Sequence, residues 1–192
     1  MLKKQVGKSL MIKKELPTKS ILIYYVAAIV VIIDQISKII VKNSMQLHDS
    51  IEVLGDFFKL TYIENPGMAF GIQLESKLLF TILSVIASLI IFIYLIRLPN
   101  ERLLFRFSLS LILGGAIGNL IDRIFFGKVI DFFDVEFFNI IIPPFKILFI
   151  NFQGYELTRW PIFNVADSAV TCGMVLITWM IFFQRAAVKQ KA

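Results

Sequence analysis

Four apolar stretches, each long enough to cross a lipid bilayer as a helix, constrain this chain more than any other feature. They cover about residues 20–41, 78–96, 103–121 and 162–183. A bilayer core about 30 Å thick needs roughly 20 apolar residues in a helix. The second stretch contains no charged residue, and the fourth contains one, Asp167. The pattern predicts an all-α integral membrane protein, with residues 1–192 forming a single membrane domain built as a four-transmembrane-helix bundle.

The composition agrees with a membrane protein. The chain has 192 residues, of which 57% are hydrophobic and 18% charged, whereas soluble domains are about 45–50% apolar and about 25% charged. One cysteine and one histidine exclude a disulfide scaffold and a cysteine- or histidine-rich metal site, so we expect no metal. The net charge of +6 does not indicate a nucleic-acid partner, because in so apolar a chain the position of the charges matters more than their sum.

The basic residues predict the orientation. The leader (residues 1–19), the segment between the second and third stretches extended to Arg106 at the start of the third, and the tail together hold 12 of the 20 Lys and Arg residues but two of the 14 acids. Cytoplasmic segments carry such an excess of Lys and Arg. Both termini are therefore predicted to be cytoplasmic, with outer links at about residues 42–77 and 122–161. A cleaved signal peptide is the alternative for the first stretch, but no small-x-small cleavage site follows it.

The apolar run at residues 138–150 could suggest a fifth crossing. It is too short to cross, and Pro143-Pro144 would break a helix in its middle. We therefore expect an extracytoplasmic segment at the outer leaflet, in the form of a small sheet or an interfacial helix.

Polar residues cluster at the predicted outward ends of the helices. Charges and amides within membrane helices are costly, so each suggests a function. The inner halves are almost free of them, which argues against a transporter or proton relay with polar groups through the full thickness. Any chemistry is expected on one side of the membrane. The clustered residues are Asp34, Lys38, Asn65, Asn119, Asp122, Arg123, Asp131, Asn164 and Asp167.

Helical spacing pairs several of these residues but leaves their roles open. Asp34 and Lys38 are i, i+4 neighbours, and either a structural ion pair or a ligand clamp fits that spacing. Asp122, beside Arg123, fits an interface anchor or a local ion pair better than a catalyst. Asp131 and Asp167 are different, because they come from separate segments and Asp167 has no Lys or Arg nearby in sequence. Two such carboxyl groups a few ångströms apart would share a proton, as in aspartic proteases.

Five ordered motifs resemble the bacterial lipoprotein signal peptidase family (signal peptidase II). The resemblance covers about residues 20–185. The 32 residues between Asp131 and Asn164 form a longer segment than we expect in that family. The motifs are Asp34-Gln35-Ile36-Ser37-Lys38, Asn65-Pro66-Gly67-Met68-Ala69-Phe70, Gly114-Gly115-Ala116-Ile117-Gly118-Asn119-Leu120-Ile121-Asp122-Arg123, Val129-Ile130-Asp131-Phe132 and Phe163-Asn164-Val165-Ala166-Asp167-Ser168.

The resemblance implies an aspartic endopeptidase of the bacterial cytoplasmic membrane, with its active site at the extracytoplasmic face. Such an enzyme removes the signal peptide of a prolipoprotein by cutting just before a diacylglyceryl-modified cysteine, and no organic cofactor is implied. Asp131 and Asp167 would be the catalytic pair. The expected partners are the prolipoprotein and membrane lipid, with the enzyme acting as a monomer. Supporting or substrate-binding roles are implied for Asp34, Lys38, Asn65, Gly67, Asn119, Asp122, Arg123 and Asn164.

Overall fold

The computed structural model describes residues 18–66, 68–69, 72–73, 77–97, 102–147, 150–152 and 155–189. These residues form four helices: α1 (Thr18–Ser44), α2 (Lys77–Arg97), α3 (Leu103–Phe126) and α4 (Val165–Lys189). They also form eight strands: β1 (Ser50–Leu54), β2 (Phe58–Asn65), β3 (Met68–Ala69), β4 (Ile72–Gln73), β5 (Val129–Ile142), β6 (Phe145–Ile147), β7 (Ile150–Phe152) and β8 (Tyr155–Arg159).

Three of the helices are long and apolar enough to cross a membrane, over Ile23–Ser44, Leu103–Phe126 and Val165–Phe183. The outer face of α1 shows why a membrane is needed, because Ile29, Ile33, Ile36 and Ile40 are each more than half exposed. In water such a stripe would be unfavourable by about 25 cal/mol per Å², and in lipid it is not. The chain is therefore a multi-pass membrane protein, as predicted. Helix α2 matches the remaining predicted span, with a shorter apolar stretch at Thr81–Arg97, and the count of four crossings stays a prediction.

Helix α3 packs against the other three helices, and glycines allow the closest approaches. A Cβ atom on Gly114 would lie 2.8 Å from the carbonyl oxygen of Ala27 in α1. On the other side of α3, a Cβ atom on Gly115 would collide with the carbonyl oxygen of Ala166 in α4. Small residues allow membrane helices to pack backbone to backbone. Gly114 and Gly115 are thus helix-packing positions of α3, and they bring the polar ends of α1, α3 and α4 together.

The outer links fold into an antiparallel sheet, which corrects the all-α prediction. Its strand order is β1-β2-β5-β8, and β2 pairs with β5 so that Ile63 lies opposite Asp131. Of the two forms expected for the extracytoplasmic segment, the small sheet is confirmed. The apolar run at residues 138–150 contains the end of β5 and all of β6, with Pro143 and Pro144 between them. A run of isoleucines favours a strand, and the two prolines interrupt it because they lack an N–H group.

Next to the polar cluster, two helices have other bounds than the predicted spans. Helix α3 continues past residue 121 to Phe126, where Gly127 ends it with a left-handed φ of 68°, so Asp122 and Arg123 lie on the same helix as Asn119. Helix α4 begins at Val165 rather than at 162. Before it, Phe163 is extended and exchanges backbone hydrogen bonds with Phe133 in β5 (2.7 and 3.1 Å). This pairing fixes the start of α4 against the sheet.

Candidate active site

Asp131 lies near the start of β5, shortly after the chain turns back at Gly127. Its Oδ1 accepts a hydrogen bond from Asn164 Nδ2 (2.6 Å), and its Oδ2 accepts one from Asn65 Nδ2 (3.2 Å). The side chain is 2% exposed. Burial, assisted by the negative charge of Asp167, raises the pKa of Asp131 to about 7. Asp131 therefore holds a proton under conditions in which an ordinary aspartate has lost it.

Asp167 lies in the first turn of α4 and forms a reciprocal cap with Asn164. Asn164 Oδ1 accepts the backbone N–H of Asp167 (2.9 Å), and Asp167 Oδ2 accepts the backbone N–H of Asn164 (3.2 Å). This is a capping box with Asn at the N-cap and Asp at N3. The other oxygen, Asp167 Oδ1, accepts from Asn119 Nδ2 of α3 (2.7 Å). The helix start therefore fixes the direction of this carboxylate.

Asn164 joins the two aspartates. Asn164 caps α4 and donates to Asp131. Its Nδ2 also lies 3.0 Å from Asn119 Oδ1 and 3.2 Å from the carbonyl oxygen of Ile130. Asn164 has no exposed surface. The structure thus brings Asp131 and Asp167 together, from β5 and α4, around one buried amide.

A buried ion cluster lies beneath the aspartates. Lys38 Nζ lies 2.8 Å from Asp34 Oδ2, 2.9 Å from Asp122 Oδ2 and 2.9 Å from Asn119 Oδ1. Lys38 is 2% exposed and the two carboxylates 1% or less. An ammonium group has three donors, and all three are used here. Asp34 and Lys38 could form either a structural ion pair or a ligand clamp, and these contacts support the structural ion pair.

The two carboxylates of this cluster also bind backbone N–H groups. Asp34 Oδ1 accepts from Ala166 at the start of α4 (2.9 Å), and Asp122 Oδ2 accepts from Ile130 in β5 (3.2 Å). Each therefore holds one of the segments that carry Asp131 and Asp167. The contacts of Asp122 fit a supporting residue, as the resemblance implies.

Gln35 also belongs to this cluster, although no role was predicted for it from the sequence. Its Nε2 lies 3.1 Å from Asp34 Oδ2, 3.1 Å from the carbonyl oxygen of Gly118 and 3.0 Å from Asp122 Oδ1. It thereby links α1 to α3. The position of Gln35 within an apolar helix could have predicted this role, because an amide in a membrane helix needs hydrogen-bond partners, as a charged group does.

The two aspartates open onto a cavity of about 500 Å³. Arg123 also lines it, and its Nη1 lies 3.5 Å from Ser84 Oγ in α2. Gly67, the remaining predicted site residue, lies outside the described residues. Among the described residues, no three His, Cys, Asp or Glu side chains gather in a group that could hold a metal ion. Other residues around the cavity include Asn65, Asn119, Val129, Trp160, Ile162, Val170 and Met174.

Two carboxyl groups that line one cavity, at one end of a bundle of membrane helices, are the arrangement expected of a membrane-embedded hydrolase of the aspartic type. Comparison with known proteins agrees with this class. Residues 26–183 match the protein family described as signal peptidase (SPase) II, and the chain belongs to this family.

Named relatives and solved structures are similar over most of the chain. The lipoprotein signal peptidase of Moorella thermoacetica is 38% identical over 155 residues, which cover 81% of this chain and 89% of that protein. The lipoprotein signal peptidase of Chlorobium phaeobacteroides is 37% identical, covering 80% and 86%. A solved structure described as a bacterial membrane enzyme, determined by the in meso method at 2.3 Å resolution, has a TM-score of 0.67 at 34% identity and covers 88% of each chain.

Proposed function

We propose that this protein removes the signal peptide from prolipoproteins by hydrolysing the peptide bond just before a diacylglyceryl-modified cysteine. One observation carries the proposal: Asp131 and Asp167 are held around the buried amide of Asn164 and line one cavity. Membership of the signal peptidase II family supports it, as do relatives named lipoprotein signal peptidase.

The proposed chemistry divides acid and base work between two carboxyl groups. One takes a proton from a water molecule as the water attacks the scissile carbonyl, and the other donates a proton to the carbonyl oxygen. Asn119 and Asn164 keep the pair oriented through the contacts described above. Asn65 and Arg123 line the same cavity and would bind the substrate backbone, with Gly67 two residues after Asn65 in sequence. No cofactor enters this scheme.

The position of the cavity suits a substrate that is itself embedded in the membrane. The scissile bond of a prolipoprotein lies between a membrane-spanning signal helix and a cysteine that carries two acyl chains, so it reaches the enzyme at the membrane boundary. Trp160, Ile162, Val170 and Met174 give part of the cavity an apolar wall suited to lipid. The basic leader and tail favour cytoplasmic termini, which place the cavity at the extracytoplasmic face of the bacterial cytoplasmic membrane. We propose that the enzyme acts there as a monomer.

Replacement of either aspartate tests the assignment. Asp131→Asn and Asp167→Asn should each lower the rate of prolipoprotein processing by at least ~10²-fold, because an amide can neither accept the proton of water nor release one. The measurement is the mobility shift of a lipid-modified prolipoprotein incubated with purified enzyme in detergent. Thermal denaturation should show that both variants are folded.

Asp122→Asn is the matched control. It removes one buried carboxylate close to the pair, but that carboxylate binds Lys38, Gln35 and the backbone N–H of Ile130. We expect a lower Tm with turnover per folded molecule largely retained. Full processing by the Asp131→Asn or Asp167→Asn enzyme would refute the proposed function.

A further inference from the structure

The two amides between Lys38 and the aspartates can adopt only one orientation. Asn119 Oδ1 faces both Lys38 Nζ (2.9 Å) and Asn164 Nδ2 (3.0 Å). An ammonium group is a donor only, so a flipped Asn119 would place its own NH₂ group against two other donors. Asn119 must therefore direct its NH₂ group at Asp167 Oδ1.

Asn164 is fixed in the same way from the opposite side. Its Oδ1 accepts the backbone N–H of Asp167, so its NH₂ group must face Asp131. The capping box thus determines the donor to Asp131, and Lys38 determines the donor to Asp167.

The surroundings of the two carboxyl groups are unequal. Asp167 is partly exposed to the cavity, and it lies in the first turn of α4, where the helix dipole favours an anion. Asp131 is 2% exposed and belongs to a strand, and strands offer no comparable dipole.

Other charged groups do not remove this inequality. Asp34 from α1 and Asp122 from α3 both bind Lys38. The charge of Lys38 lowers the pKa of Asp131, but burial of Asp131 and the charge of Asp167 raise that pKa by more. Arg123 from α3 lines the cavity that both aspartates share. On β2, Glu64 forms an ion pair with Lys128, in which Lys128 Nζ lies 2.7 Å from Glu64 Oε2.

We propose that Lys38 is a positioning residue that, through Asn119, makes Asp167 the carboxylate that takes the proton from water, while Asp131 carries the resting proton. The inference rests on the proposed peptidase function for its chemistry. The raised pKa of Asp131 agrees with it.

The proton transfers balance in two steps. First, water bonds to the scissile carbon and gives a proton to Asp167, while Asp131 gives its proton to the carbonyl oxygen, which forms a neutral diol. Next, the C–N bond breaks as Asp167 protonates the leaving nitrogen and Asp131 takes a proton from a diol hydroxyl. The products are a carboxylic acid and an amine, and both aspartates return to their starting states.

Infrared spectroscopy without substrate locates the resting proton. Purified wild-type, Asp131→Asn and Asp167→Asn proteins are compared at pH ~6, where Asp131 is protonated. We expect loss of a protonated-carboxyl band in Asp131→Asn and its retention in Asp167→Asn. Retention of the band in Asp131→Asn would overturn the proposal. Because no cleavage is measured, this result is independent of whether the protein is a prolipoprotein peptidase.

Asn119→Asp tests whether the orientation of Asn119 by Lys38 matters for activity. A Lys38 variant is less suitable, because the loss of Lys38 would leave two carboxylates buried and unpaired. The new carboxylate keeps the acceptor for Lys38 and Asn164 but presents an oxygen to Asp167, and it can donate only when protonated. We expect processing at pH ~7 to fall at least ~10-fold and the optimum to move to lower pH. A thermal denaturation curve of the variant gives the fraction that is folded at the assay temperature. A loss of activity that is equal at every pH would mean a structural role alone and would contradict the proposal.

Discussion

Asp131 carries a carboxyl group that folding removes from water and places near a second carboxyl group. Asn164 and Asn65 donate to it, and both contacts favour its charged form, yet burial and the charge of Asp167 outweigh them. This state agrees with the proposed catalytic role of Asp131, which requires a group that can hold a proton and release it.

The stability of the protein should therefore depend on Asp131 in a pH-dependent way. The folded protein keeps this proton up to pH about 7, whereas the unfolded chain releases it near 3.8. Between these values the unfolded state binds fewer protons, so the free energy of unfolding falls as the pH rises. We expect wild type to lose up to ~4 kcal/mol relative to Asp131→Asn over this range, measured by denaturation in detergent. Parallel curves for the two proteins would contradict this expectation.

At the level of single residues, the sequence predicted contacts that depend on local spacing. Asp34 and Lys38 do pair, because i, i+4 neighbours meet on any helix. Asn164 and Asp167 do share a turn, and Asn-x-x-Asp before an apolar run could have been read as a capping box. The contact of Asn119 with Asp167 could not be derived from spacing, since it depends on how α3 and α4 are rotated against each other.

Among the elements, α3 determines whether the site can assemble. It supplies Asn119 and Asp122, and its glycines place α1 and α4 within backbone contact on its two sides. The length of α3 beyond residue 121 was not predictable from hydropathy, because Asp122 and Arg123 interrupt the apolar run although the helix continues to Phe126. The sequence left a small sheet and an interfacial helix as alternatives for a related reason: isoleucine runs suit a buried strand and a membrane segment equally well.

Gly115→Ala should damage the site from a distance. The added methyl group would collide with the carbonyl oxygen of Ala166, one residue before Asp167, and overpacking of this kind costs about 1–3 kcal/mol. We expect a lower Tm together with slower prolipoprotein processing by the molecules that remain folded. Ala87→Val, at an exposed position of α2, adds bulk without a clash and should change neither property. Wild-type behaviour of Gly115→Ala would contradict the proposed packing role.

For the molecule as a whole, the multi-pass membrane architecture followed from composition, whereas the orientation inferred from charge stays a prediction. The sheet that covers one end of the bundle did not follow from either. Its register, with Asp131 opposite Ile63, is a long-range pairing that no local pattern encodes. The motifs nevertheless contained the polar residues that the structure brings together, because such residue types are costly within a membrane unless a structure satisfies them.

The proposed orientation can be tested with single cysteines. In a Cys172→Ser background, His48→Cys, which lies between α1 and β1, should react with a membrane-impermeant maleimide on intact spheroplasts. Ala192→Cys at the tail should react only after permeabilisation. This difference follows from the excess of Lys and Arg in the leader and tail. Labelling of Ala192→Cys in intact spheroplasts would contradict the predicted orientation and would mean that the cavity lies at the cytoplasmic face.

The reciprocal cap between Asn164 and Asp167 also ties catalytic competence to biogenesis. The first turn of the last helix aims one acid and, through the same asparagine, steadies the other. A nascent chain whose final helix has not yet wound lacks both alignments. On the proposed function, we therefore infer that the chain gains peptidase activity only after this helix has formed during membrane insertion.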